Sequence, residues 1–208
     1  MSLKPLSEEA GAAFSRAQVP DPANRETHDF YPTWPAATRA LLRVERFEGS
    51  IWEPACGDGA MSRELEAAGY RVVSTDLIDR GFGEGGRDFL AEWSPQAPNV
   101  VTNPPFRWAV EFVDRALVLT SPDRPGNLMR GKVALFLRLA FLEGQDRGAW
   151  FPTTPLARVW VMSRRVPMGR GRVADEKTDK GVIAFAWFVW EHGHEGRPVL
   201  GWLDWKSA

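Results

Sequence analysis

The residues best suited to chemistry fall in two clusters, Asn103-Pro104-Pro105-Phe106 and Glu53-Pro54-Ala55-Cys56-Gly57-Asp58-Gly59, with Asp76 between them. Ahead of Asn103, Val100 and Val101 suit a sheet interior. Two successive prolines cannot donate ladder hydrogen bonds, so they force the chain out of the sheet at once. Asn103 is thereby held at a strand tip, and Pro104 confines its backbone to an extended conformation. A side-chain amide aimed by covalent geometry and packing is a pre-organised hydrogen-bond acceptor. The same tetrapeptide also fits a turn that merely ends a strand. In the other cluster, glycines at a strand-to-helix turn let backbone approach a bound nucleoside. A carboxylate at the end of the next strand, Asp76, can take both ribose hydroxyls.

Those residues need a frame. Ile51 to Gly59 reads as a short strand leading into a glycine turn, and Met61, Leu65 and Ala68 recur at helical spacing. Gly69 predicts the stop of that helix, and Tyr70 to Thr75 the second strand of a βαβ unit. The third glycine of a dinucleotide fingerprint is replaced by Ser62. Earlier, Asp29 to Pro35 is an aromatic, proline-rich loop, followed by a helix over Ala36 to Arg43 with Pro35 at its start. Trp108 to Leu119 places residues 108, 112, 116 and 119 on one helix face toward the sheet. Further strands are predicted at Lys132 to Leu142, Arg158 to Ser163, Val182 to Trp190 and Val199 to Leu203, the last pairing back on Val182 to Trp190 as a hairpin. Residues 1–28 read as a loosely held arm and 29–208 as a single domain.

Taken together, Asn103-Pro104-Pro105-Phe106 resembles the Asn-Pro-Pro-aromatic motif of S-adenosylmethionine (SAM)-dependent amino-methyltransferases, most closely the N6-adenine DNA methyltransferases of the small phage and mobile-element type. The resemblance implies that the Asn103 side-chain oxygen and the Pro104 carbonyl accept hydrogen bonds from a target amine, with Pro105 shaping the corner and Phe106 stacking on the base. Glu53-Pro-x-x-Gly-x-Gly is similar to the cofactor motif of the same family, where the acidic residue helps hold the amino-acid end of SAM. SAM has no phosphate for a helix N-terminus, so a carboxylate suits its ammonium and sulfonium better than a pyrophosphate. The resemblance carries over Tyr31, Pro32 and Thr33 as lining the methionine half, although Trp34 stands where a second proline is frequent. It also implies cofactor contacts for Ala55, Gly57, Gly59, Asp76 and Leu77, and for Asp88 and Phe89 at the adenine. A hydrophobic latch would explain Tyr31 to Thr33 equally, and a helix cap with a core Phe would explain Asp88 and Phe89.

The implied fold is α/β: a Rossmann-like class I SAM-methyltransferase, mostly parallel, with a C-terminal antiparallel hairpin. The implied activity is methyl transfer from SAM, leaving S-adenosylhomocysteine, to the N6 amine of an adenine flipped out of DNA. RNA adenine, a protein glutamine amide, or a silent nucleic-acid-binding subunit are the competing expectations. Formal net charge is -1, which does not decide between partners. Arg107 follows the catalytic motif, and a basic loop holds Arg164, Arg165, Arg170 and Arg172, residues suited to backbone phosphates or simply to a solvated surface.

The totals exclude other classes. Hydrophobic residues at 44% and charged residues at 25% belong to a globular chain, and no apolar run approaches a bilayer span. Met1-Ser2-Leu3-Lys4-Pro5 lacks a signal-peptide core, and Cys56 is the only cysteine, so a reducing cytoplasm is expected. Cys56 has no base partner in sequence and reads as a small buried residue. His192 and His194 form a poor ligand set, so no metal is expected.

Overall fold

A computed structural model describes residues 30–123, 131–169, 175–176 and 181–207. In chain order its main elements are α1 (Pro35–Val44), β1 (Ile51–Glu53), α2 (Ala60–Ala67), β2 (Val72–Ser74), β3 (Asn99–Thr102), α3 (Ala109–Thr120), β4 (Lys132–Arg138), α4 (Gln145–Trp150), β5 (Leu156–Met162), β6 (Phe185–Glu191) and β7 (Val199–Leu203). The strands form one sheet in the order β2-β1-β3-β4-β6-β5-β7. All run parallel except β6, which is antiparallel to both β4 and β5.

Period-two alternation sorts the apolar side chains between two cores. On one face Val101, Phe136, Trp187 and Val189 pack with Ala37, Ala40 and Leu41 of α1 and Met61 and Leu65 of α2. On the other, Val100, Leu135, Phe188 and Trp190 pack with Phe112, Val113, Ala116 and Leu119 of α3. Both faces are covered, which is why the central strands read as unbroken apolar runs.

Two expectations are corrected. Val199–Leu203 does not pair with β6; it lies parallel to β5, with Arg158 opposite Val199 and Met162 opposite Leu203. The reversed strand at this end of the sheet is instead β6, held in place by a full ladder from Lys132↔Glu191 to Arg138↔Phe185. Trp108 is not on the sheet-facing side of a helix: it precedes α3, in a 3-10 turn, and is 42% exposed. The short helix α4 had no expectation attached to it. The N-terminal arm, residues 1–28, lies outside the described residues, as do Arg170 and Arg172.

At the edge where β4 begins, a charge cluster ties the strands together. Buried Glu45 accepts from Lys132 Nζ at 3.0 Å, Arg158 Nε at 2.5 Å and Trp160 Nε1 at 2.9 Å, while Arg158 also bonds Glu191 at 2.6 Å. Burial pushes the Glu45 carboxyl up, but those donors outweigh it and hold it below the ordinary value.

Candidate active site

The parallel run of β2, β1, β3 and β4 brings Asp76, Glu53, Asn103 and Arg138 to one edge of the sheet. The chain crosses from β2 back over β1 to β3, so the strand order reverses beside β1. Such a reversal leaves a crevice at the carboxyl ends of the strands. A cavity of about 350 Å³ opens there, within the size range of small-molecule sites. Its wall contains Tyr31, Pro32, Thr33, Glu53, Ala55, Gly57, Asp76, Leu77, Asp88, Phe89, Asn103, Pro105 and Arg107. Thirteen sequence-nominated residues, from five separate stretches, thus meet in one cavity. Gly59, Pro104 and Phe106 are not part of its wall.

Asn103 follows directly on the last residue of β3. Its Nδ2 donates to the Tyr31 carbonyl at 3.0 Å, whereas its Oδ1 is buried and has no hydrogen-bond partner. Buried polar atoms are rarely left unpaired because the desolvation cost is not recovered. The amide is therefore anchored by its nitrogen with its oxygen unspent. Beside it, half-buried Phe106 stacks with Tyr31 at 6.2 Å and 20°, and the Arg138 guanidinium lies 4.5 Å from the Phe106 ring centre. The Pro105 carbonyl accepts from Trp108 N–H at 2.9 Å, which turns the chain into α3.

The glycine turn is fixed by hydrogen bonds from the neighbouring strand. Cys56 N–H donates to the Thr75 carbonyl at 3.0 Å, and Asp76 accepts from Gly57 N–H at 2.8 Å and from Ile78 N–H at 2.8 Å. Both Asp76 oxygens therefore already hold backbone, so the carboxylate sets the turn as well as facing the cavity. Gly57 has φ +58°, a conformation that disfavours any side chain, and a Cβ built there would lie 2.5 Å from Phe30 Cε2. At Gly59 a Cβ would meet the Phe82 ring at 2.5 Å. Two aromatic rings thus pack directly on the turn, which explains why Gly59 is screened from the cavity.

Glu53 is buried, accepts from the Ser62 hydroxyl, and Ser62 in turn shares a 2.6 Å hydrogen bond with Ser74. Ser62 stands at the third glycine position of the fingerprint, and the structure shows its use: it satisfies the acid. Burial drives the Glu53 pKa well above its ordinary value, with Asp76 and Asp58 adding to the rise. Burial likewise pushes the Cys56 thiol up to about 12, next to Glu53 and Asp76, so it is an inert thiol.

Asp88 caps the turn after it, accepting from Leu90 N–H at 3.0 Å, and Phe89 is buried edge-on to Trp52 at 5.0 Å. The packing explanation of this pair is thus realised, and both residues still border the cavity. Away from the site, Arg164 is engaged by Asp204 at 2.8 Å, and Arg165 is exposed with its carbonyl accepting from Trp205 Nε1 at 3.2 Å. Among the described residues, Arg107 alone of the nominated arginines borders the cavity. Phe30, Arg80 and Trp108 also border it and were not singled out from sequence; adjacency of Phe30 to Tyr31-Pro32-Thr33 was the one available signal. Among the described residues no three His, Cys, Asp or Glu gather as a metal site, and no helix is long and apolar enough to cross a membrane.

No protein-family model matches the chain, and no curated protein matches it in sequence. Solved structures do match in fold. A modification subunit of a putative type I restriction enzyme from Vibrio vulnificus is 14% identical, with a TM-score of 0.53 over 82% of this chain and 45% of that one. A putative RNA methyltransferase from Pyrococcus horikoshii is 13% identical, with a TM-score of 0.52 over 89% and 98%. The 23S rRNA methyltransferase ErmE is 18% identical, with a TM-score of 0.51 over 78% and 70%. The chain thus spans under half the length of the restriction-enzyme subunit. These likenesses define the fold, which is the Rossmann-like fold of class I SAM-dependent methyltransferases.

Proposed function

We propose that this chain is a SAM-dependent methyltransferase acting on the N6 amine of adenine in DNA, with residues 29–208 as its catalytic unit. One observation carries the reading: a buried amide oxygen, Asn103 Oδ1, stands unpaired in the wall of a cavity at the strand-order reversal. A group that gains a partner only when an amine arrives is suited to stabilising charge that develops on that amine.

The cavity fits the cofactor chemically. An aliphatic ammonium and a sulfonium call for carboxylates, and Glu53, Asp58, Asp76 and Asp88 all face the space. When bound, SAM supplies an electrophilic methyl group. An ammonium beside Glu53 favours the ionised carboxylate, which opposes the effect of burial, so Glu53 is suited to bind the amino-acid end. Tyr31 to Thr33 cover the methionine half, while Leu77, Asp88 and Phe89 hold the nucleoside. Asn103 Oδ1 and the Pro104 carbonyl accept from the target amine and orient its lone pair. Phe106, which lies just outside the cavity wall between Tyr31 and Arg138, stacks on the flipped base once one of those two side chains moves off its ring. Positioning supplies most of the rate, and no strong base is required. Of the nominated arginines among the described residues, Arg107, at the cavity rim, and Arg165 are available to phosphates; Arg164 would have to release Asp204 first.

An RNA acceptor is the second reading, favoured by the two RNA methyltransferases that share the fold. Purified protein incubated with methyl-labelled SAM and separate pools of DNA, RNA and protein tests both. Label in DNA supports the reading. Label confined to RNA selects the alternative, label confined to protein points to glutamine amides, and cofactor binding without transfer to any pool marks a silent subunit.

A further inference from the structure

Among the described residues three arginines border the cavity, and two are accounted for. Arg87 is paired with Glu84 at 2.8 Å and Glu92 at 2.6 Å. Arg107 lies exposed at the rim, its guanidinium 5.3 Å from the centre of the Trp108 ring. Arg80 differs from both. It is half-buried, its Nε is buried without a hydrogen-bond partner, and it has no ion pair with any described residue.

A guanidinium is a donor-only group, so a buried N–H of Arg80 without an acceptor carries the cost of burial unrelieved. An anion brought to the buried N–H removes that cost. The structure also fixes where the cation sits. Its guanidinium carbon is 4.2 Å from the centre of the Phe30 ring, a favourable cation–π separation, and the same ring is packed on Gly57. Arg80 is thereby held to the glycine turn that begins just after Glu53, inside a cavity whose other charged groups are predominantly acidic. One unpaired cation sharing a cavity with a buried acid is a site for a zwitterion, and an α-amino acid group is one.

We propose that Arg80 receives the carboxylate of the cofactor's amino-acid end, while Glu53 receives its ammonium. The inference rests on the SAM reading above and assigns a residue to a part of that ligand. Phe30 is then a positioning residue, holding the guanidinium in place without touching the cofactor charge.

Binding, not turnover, tests this. S-adenosylhomocysteine carries the amino-acid end; 5′-methylthioadenosine keeps the nucleoside and thioether but lacks it. Calorimetric titration of both ligands should show Arg80→Gln weakening S-adenosylhomocysteine by on the order of 10- to 100-fold, as for loss of a charge-assisted hydrogen bond. 5′-Methylthioadenosine should bind that variant as it binds wild type, which also reports that the cavity is folded. Arg80→Lys should recover part of the loss, since it restores charge without the planar fork. Equal weakening of both ligands would mean that Arg80 only props Phe30, and would overturn the proposal. So would unchanged S-adenosylhomocysteine affinity in Arg80→Gln, including the case in which that variant loses affinity for a DNA duplex instead. Wild-type protein that binds neither ligand removes the cofactor reading and this inference together.

Discussion

Replacing Asn103 by Ala separates the two things this side chain does. Its Oδ1 is the acceptor that a target amine would meet, and its Nδ2 holds the Tyr31 carbonyl at 3.0 Å. Loss of one pre-organised partner to developing charge costs about 10²- to 10³-fold in kcat, or about 2.7–4 kcal/mol. Loss of the Tyr31 tether removes one partly buried neutral hydrogen bond, worth about 1 kcal/mol of stability. Single-turnover label transfer at saturating SAM should therefore fall by two to three orders of magnitude in Asn103→Ala. Calorimetric affinity for S-adenosylhomocysteine should stay within about twofold, because the acceptor is not assigned to the cofactor. Asn103→Asp keeps an oxygen but sets a second one against the Tyr31 carbonyl, so it should lose stability as well as rate. A rate within about fivefold of wild type, or affinity lost in step with rate, would refute the role given to Asn103.

Glu53 and Glu45 should respond to pH in opposite senses. Burial raises the folded pKa of Glu53, so the native state binds that proton more tightly than the unfolded chain, and stability falls as pH rises from the ordinary carboxylate value toward the folded one. Glu53→Gln should consequently melt higher than wild type at neutral pH, with the gain vanishing below about pH 4.5, as followed by thermal unfolding. In wild type, an ammonium at Glu53 offsets the effect of burial on that carboxyl, so S-adenosylhomocysteine affinity should rise as pH rises from about 4.5, as followed by calorimetric titration. Glu45 is held below its ordinary pKa, so its contribution is present above that value and is lost as pH falls through the folded one. Glu45→Ala leaves Lys132 without its carboxylate and Arg158 with Glu191 alone, both only partly exposed, and should cost about 2–4 kcal/mol in denaturant unfolding. Gly57→Ala places a methyl group where Phe30 sits, at φ +58°; it should lose at least about 1 kcal/mol and weaken S-adenosylhomocysteine, whereas Gly69→Ala, with open space around it, should lose stability alone.

Much of the site was readable in the sequence because its signals are local. Proline after Asn103 restricts the backbone wherever the strand is placed, and glycines at a strand-to-helix turn declare their own need for positive φ. Cavity residues could therefore be nominated before their meeting was visible. What the sequence did not yield is non-local. Val199–Leu203 has the alternation of a strand, but nothing in five residues states whether β5 or β6 is the neighbour. Phe82 lies in a glycine-rich stretch with no periodic pattern, and only the fold shows it packed on Gly59. Ser62 looked like a missing glycine and proved to be the hydrogen-bond donor to a buried acid. Arg164 looked available for phosphate, yet Asp204, distant in sequence, occupies it.

The most direct measurement is the identity of the methylated nucleoside. DNA from a bacterial host without adenine methylation, expressing either wild type or Asn103→Ala, would be digested to nucleosides and analysed by mass spectrometry. The account predicts N6-methyladenine in the wild-type DNA and background levels with the variant. A methyl group on cytosine instead, adenine left unmodified by the wild type, or N6-methyladenine that persists with the variant would contradict it.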